Sequence, residues 1–246
     1  MRLTVIGCSG SGPGPDSPAS CYLVEHEDYA LLLDLGNGAF GALLGLADPA
    51  RIDAVYLSHL HADHCLDVAP FIVWHRYSGR SSGKPMPLFA PMGAERRLAL
   101  AYDGDGGPIE DVFDVLAIGA GEFDLGPFQV TTARTAHPVE CYAVRLTAGG
   151  RSLVYTGDTG PCPEVVALAA GADTLLAEAA HPEAPGLPTD LHLNGREAGQ
   201  HAAAAGVGRL LLTHVPAWVD PDIQLAAARV AFPAAELVRP GAVYEI

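Results

Sequence analysis

The chain has 246 residues, of which 49% are hydrophobic and 17% charged, with a formal net charge of -15. That length and apolar content suit one folded α/β domain spanning residues 1–246 with a substantial core, and they exclude a largely disordered chain. The acidic balance excludes a general nucleic-acid surface, because phosphate backbones are gripped by Lys and Arg, and only 14 are present.

Met1-Arg2 is followed by Leu3-Thr4-Val5-Ile6 and then a Gly/Ser loop, too short an apolar run for a signal segment. No apolar run approaches a membrane span. The five cysteines form no paired metal-binding spacing and are read as reduced thiols of a cytoplasmic protein, although Cys65 and Cys162 lie beside motif residues.

In chain order, Leu3 to Ile6 is a strand, and the Gly7–Pro15 loop lacks the Gly-Lys-Ser/Thr ending of a phosphate-binding loop, so turn chemistry explains it. Cys21 to Glu25 and Tyr29 to Leu33 form a hairpin. Asp34-Leu35-Gly36-Asn37-Gly38 is a turn, and Ala39 to Ala47 a helix. Ile52 to Leu57 is an apolar, buried strand. A helix follows from Cys65, with Asp67 in its first turn, favourable to the helix dipole. Phe71, Trp74, His75 and Tyr77 are assigned to that helix's buried face. Ser78 to Pro87 is a polar loop placed at the rim of a site or acting as a lid. Strand and helix signals continue through Leu88–Ala90 and Gly93–Tyr102, then Val112–Ile118, Gly121–Asp124 and Phe128–Ala133. A second hairpin, Cys141–Leu146 with Ser152–Thr156, precedes a helix from Pro163 to Ala169. Thr174 to Glu178 is a strand, His181 to Leu191 a Pro-rich loop, and Asn194 with Glu197 a capping box that opens a helix to about Ala205. Arg209 to Thr213 is a strand, Pro221 to Ala231 a helix, and Val243 to Glu245 a closing strand. His26 and His201 are read as structural, while His75 and His181 are left as pocket-lining options.

Ser58-His59-Leu60-His61-Ala62-Asp63-His64 places three histidines and an aspartate on a strand-to-helix loop. A lone histidine is usually a surface or core residue. Here His137, Asp158 and His214 follow at further strand ends, and imidazole with carboxylate suits zinc, manganese or iron(II) at a hydrolytic centre. The order of these residues resembles the metallo-β-lactamase superfamily across essentially the whole chain. The resemblance implies an α/β (α+β) fold, an αββα sandwich of two mixed β-sheets flanked by helices, with two divalent metal ions between the sheet edges. Zinc is the first choice, with manganese or iron as alternatives. It implies that His59, His61 and His137 hold one metal, that Asp63, His64 and His214 hold the second, and that Asp158 bridges them.

Tyr155-Thr156-Gly157-Asp158-Thr159-Gly160, Leu210-Leu211-Leu212-Thr213-His214 and His192 ahead of Glu197-Ala198 resemble the ribonuclease-Z-like branch. There His192 would be a catalytic histidine paired with an acid, for which Glu178 is the candidate, and Asp63 would orient the attacking water. The segments Leu3–Ser11, Gly14–Ser20, Val73–Tyr77 and Asp190–Leu193 are similar to the atypical class II cyclic nucleotide phosphodiesterases of bacteria. That implies hydrolysis of a small cyclic nucleotide such as 3',5'-cyclic AMP to 5'-AMP, by a homodimer. The long basic arm of tRNA-processing enzymes has no counterpart in the short segments between His137, Asp158 and His192, and with the acidic charge this points to a small phosphodiester, away from tRNA and membranes. A tRNA 3'-endonuclease and a thioester or lactone hydrolase are the alternatives.

Overall fold

The apolar runs pair into two sheets. The computed structural model describes residues 1–184 and 186–246. The first sheet has the strand order Val243–Glu245, Arg2–Gly7, Cys21–His26, Tyr29–Leu33, Ala54–Tyr56, Met86–Ala90 and Phe113–Ala117. The second runs Glu236–Leu237, Arg209–Thr213, Thr174–Glu178, Arg151–Tyr155, Tyr142–Ala148, Phe128–Arg134 and Gly121–Leu125. Both are mixed: Cys21–His26 and Tyr29–Leu33 pair antiparallel, whereas Tyr29–Leu33 and Ala54–Tyr56 run parallel. In the second sheet Arg151–Tyr155, Thr174–Glu178 and Arg209–Thr213 are parallel neighbours.

Period-two alternation sorts each strand's side chains into layers. Leu31 and Leu33 join Leu3, Val5, Tyr56, Val144, Leu153 and Leu176 between the sheets, whereas Leu32 and Val55 face the helices that carry Phe40, Leu43, Phe71 and Ile72. On the far side Leu210 and Leu212 turn toward helices bearing Val165, Ala198 and Ala202, while Leu211 turns inward. Strands covered on both faces read as continuous apolar runs, which is why Leu31-Leu32-Leu33 and Leu210-Leu211-Leu212 show no polar alternation. The result is the expected αββα sandwich. Burying one Leu of this kind contributes roughly 1.5–3 kcal/mol.

The helix boundaries follow local chemistry. The Gly195–Ala205 helix starts at the capping box: Asn194 Oδ1 accepts from the Glu197 N–H (2.9 Å) and Glu197 Oε2 accepts from the Asn194 N–H (3.0 Å). The post-motif segment splits into Ala62–Cys65 and Val68–Tyr77. Asp67 therefore stands at the cap of the second piece, and its carboxylate is spent on the Phe40 N–H (2.8 Å). Phe71 and His75 are buried there, but Tyr77 is 74% exposed, because at about 100° per residue it falls on the opposite side of the helix from His75. His75 is not in the functional site: its Nε2 lies 3.2 Å from the Lys84 carbonyl oxygen. The 78–87 loop makes its side-chain bonds to Asp48 and the His75 carbonyl, and among the described residues none reaches the histidine motif. His201 is structural as expected, accepting from the Cys162 N–H at Nε2 (3.0 Å). A two-strand pairing of Ser9–Gly10 with Val215–Pro216 ties the N-terminal loop to the segment after His214. Strands of two residues carry no periodic signal, so sequence offered no hint of it.

Candidate metal centre

Loops at strand ends deliver the ligand-type side chains to one place. The motif loop leaves the Ala54–Tyr56 strand after Leu57 and is fixed where Leu35 N–H donates to the His64 carbonyl (2.8 Å). Gly36 makes this approach feasible, since a Cβ there would lie 2.0 Å from the Asp63 carbonyl oxygen. Gly157, at φ 58°, lets the chain turn into Asp158, and a Cβ would strike Ser58 Cβ at 2.9 Å. His214 itself takes a left-handed φ of 56°, an uncommon choice for a non-glycine residue and one met at functional positions.

Two groups form from the seven residues, each with ligand atoms within 4.8 Å of one another: His59, His61, His137 and Asp158, and Asp63, His64, Asp158 and His214; Glu178 and His192 form a third with His214. His61 Nδ1 lies 3.0 Å from His59 Nε2 and 3.2 Å from His137 Nε2. In the second group His64 Nε2 lies 3.1 Å from His214 Nε2, which is 3.2 Å from Asp63 Oδ2. Asp158 stands between the groups, with Oδ2 3.6 Å from His59 Nε2 and Oδ1 3.2 Å from His64 Nε2. All seven residues singled out by sequence lie in these two groups, with Asp158 in both.

The outer hydrogen bonds decide which nitrogen faces inward. Asp34, fully buried and also left-handed (φ 58°), accepts from Ser58 N–H (2.7 Å), Ser58 Oγ (2.8 Å), Tyr155 OH (2.7 Å) and His64 Nδ1–H (2.7 Å). Because Ser58 Oγ donates to Asp34, its lone pair accepts from His59 Nδ1–H (3.1 Å). His137 Nδ1–H donates to the Leu191 carbonyl (2.9 Å). The Nε2 lone pairs of His59, His64 and His137 therefore face the centre, the tautomer a metal requires. Facing lone pairs repel unless a cation or an extra proton lies between them. Asp158 Oδ1 is likewise buried without a hydrogen-bond partner among the described residues. This donor set of imidazole nitrogens around a shared carboxylate fits two divalent ions of the zinc type.

The electrostatics agree. Burial, reinforced by His64, pushes His59 well below the ordinary histidine range, and burial also lowers His61 and His137, so these rings are neutral and ready to bind. Burial opposes ionisation of Asp63 and Asp158, but the neighbouring histidines outweigh it and hold both below the usual carboxylate range. Burial also opposes charge on His64, yet Asp158 and Asp34 raise it well above the usual value, so without metal this ring supplies the missing proton. Asp34 went unmarked in the sequence, where Asp-Leu-Gly looked like turn chemistry. Its signal was an aspartate at the end of an otherwise apolar strand.

His192 and Glu178 adjoin the second group. Glu178, fully buried, accepts from Thr159 N–H (2.6 Å), Ala180 N–H (3.2 Å) and His192 Nδ1–H (3.0 Å). Burial resists protonation of His192, but Glu178 and then Asp158 prevail and the ring is pushed up to about 9. No helix among the described residues is long and apolar enough to cross a membrane.

Fold and site together define a metal-dependent hydrolase. The chain belongs to the beta-lactamase superfamily, whose domain model matches residues 31–215, and it fits the ribonuclease-Z-like branch. It is 47% identical over 239 residues to an uncharacterized protein of Mycobacterium leprae, covering 94% of this chain and 84% of that one. It is 33% identical over 250 residues to the probable metallo-hydrolase YhfI of Bacillus subtilis, covering all of both chains. The YhfI crystal structure superposes with a TM-score of 0.88, covering 99% of this chain and 98% of that one. The short form of human tRNase Z shares the fold, with a TM-score of 0.82 at 21% identity over 100% of this chain and 99% of that one.

Proposed function

We propose that the protein is a dinuclear phosphodiesterase that hydrolyses a small cyclic nucleotide, 3',5'-cyclic AMP in the first instance, to the 5'-monophosphate. The observation that carries this reading is the His192–Glu178 pair beside the metal-type centre. His192 gives Nδ1 to Glu178 at 3.0 Å, and among the described residues its Nε2 has no hydrogen-bond partner. A thioester expels a thiolate, which leaves without a proton far more readily than the alkoxide of a phosphodiester does, so a proton donor at this place favours a phosphodiesterase over a thioester hydrolase. The chain's net charge of -15 and the short connections around the centre favour a small substrate over tRNA.

His59, His61 and His137 would hold one ion, and Asp63, His64 and His214 the other, with Asp158 shared. When bound, such ions polarise a phosphoryl oxygen and make water acidic enough to attack at neutral pH. The chain does the rest. Asp63, whose side chain is 12% exposed, accepts a hydrogen bond from the attacking water and aligns it. As the phosphorus–oxygen bond to the ribose breaks, His192 passes its Nε2 proton to the leaving oxygen, and Glu178 stabilises the charged ring beforehand and fixes its direction. Zinc is the preferred metal. Homodimeric assembly and a cytoplasmic setting complete the proposal.

The test is a chromatographic assay of zinc- or manganese-loaded protein with 3',5'-cyclic AMP, beside Asp63→Ala and with a 3'-extended pre-tRNA as comparison. AMP formed by the wild type alone is the expected result. No AMP from protein with confirmed metal content, or cleavage of the pre-tRNA alone, would sink the assignment.

A further inference from the structure

His181 belongs to neither metal-type group, yet its backbone is fixed from both sides. Its N–H donates to the Leu193 carbonyl (3.0 Å), and its own carbonyl accepts from Gln224 Nε2 (2.7 Å). Gln224 is 1% exposed, and its Oε1 accepts from the Gly195 N–H (2.6 Å). One buried amide therefore links residue 181 to the first turn of the helix that follows His192. With both backbone groups paired, residue 181 is held in one place relative to the helix that follows His192.

The anchoring sets the ring. The His181 imidazole stands edge-on to that of His192, with centroids 5.1 Å apart and an interplanar angle of 79°. It is half-buried, and among the described residues its ring nitrogens make no hydrogen bond. Burial and the neighbouring His192 keep it neutral, so it offers one donor and one acceptor.

The geometry points to His181 as a substrate-contacting residue that hydrogen-bonds the sugar of a nucleoside on the leaving-oxygen side of the phosphodiester, with Gln224 as its positioning residue. This rests on the phosphodiesterase reading above. A proton delivered from His192 Nε2 places the leaving oxygen next to His192, and the sugar carrying that oxygen then meets the adjoining ring. A sugar hydroxyl, both donor and acceptor, matches a neutral imidazole. Inorganic phosphate occupies the metal side alone and does not extend to His181.

Calorimetric titration of the zinc-loaded wild type, His181→Ala and His181→Phe with AMP and with inorganic phosphate separates the two contacts. The expected result is unchanged zinc content and phosphate affinity in both variants, with AMP affinity about five- to tenfold weaker, the value of one ordinary hydrogen bond. Wild-type affinity for AMP in either variant overturns the proposal. So does an equal loss for AMP and phosphate, or a wild type that binds AMP no more tightly than phosphate. Turnover of cyclic AMP is measured on the same preparations. A wild type that binds AMP through His181 but forms no product removes the phosphodiesterase reading alone.

Discussion

Asp34 controls more of the centre than any residue that faces it. Its four hydrogen bonds fix Ser58, the His64 tautomer and, through Ser58, the His59 tautomer. Asp34→Ala should therefore weaken metal binding about 10- to 100-fold, as loss of an outer-shell partner does. Competition with a chromophoric chelator measures this, and wild-type affinity would contradict the role. His192 carries a different prediction: His192→Ala should retain its metals but lose about 10²- to 10⁴-fold in turnover. Lost metal would instead make it a ligand. Its pKa also gives a signed test in the metal-free protein. Raised from 6.5 to about 9 on folding, His192 contributes stability that is fully present below pH 6.5 and is lost as pH rises through about 9. Urea unfolding of metal-free wild type against His192→Ala should show a gap at pH 6 that narrows by pH 9.5; a widening gap would reverse the assigned sign.

Between residue and fold, the loops matter because backbone approaches set the ligand positions. Gly36 faces the Asp63 carbonyl so closely that a Cβ there leaves backbone, rather than a flexible side-chain end, to give way. Gly36→Ala should cost about 1–3 kcal/mol, in the range of overpacking. Because the strain falls on the motif loop, metal content should fall with it in a mass-spectrometric assay. Gln224 joins the two helices Gly195–Ala205 and Pro221–Arg229, whose contact is close enough that Gly195 and Gly199 each abut backbone of the second helix. Gln224→Leu leaves the Gly195 N–H and the His181 carbonyl unpaired and should destabilise the fold by about 1–3 kcal/mol per orphaned group. If positioning is its role, KM for cyclic AMP rises more than kcat falls. Equal changes in both would make it merely structural.

For the molecule as a whole, the sheets bring an acidic chain's histidines and carboxylates into one buried centre whose facing lone pairs call for cations. Ions that bind only the folded state stabilise it by mass action, about 2.7 kcal/mol for a site at a hundredfold excess over its dissociation constant. Chelation should lower the thermal midpoint by several degrees, and restored zinc should return it. A midpoint indifferent to chelation would mean that the centre is not a metal site of consequence for stability. The sequence by itself marked the strands, because strands buried on both faces are continuous apolar runs, and its motif order carried the family resemblance that implied the sandwich. It also singled out His59, His61, Asp63, His64, His137, Asp158 and His214, because ligand-type residues at strand ends have few other uses. Only the tertiary structure decided what surrounds them. Asp34, Gln224 and the pairing of Ser9–Gly10 with Val215–Pro216 act across long stretches of chain. Likewise His75 and His181 looked equivalent along the chain until folding sent one to the Lys84 carbonyl and the other to His192. Hydrogen-bond partners distant in sequence leave no periodic trace, so they become visible only when the sheets have closed.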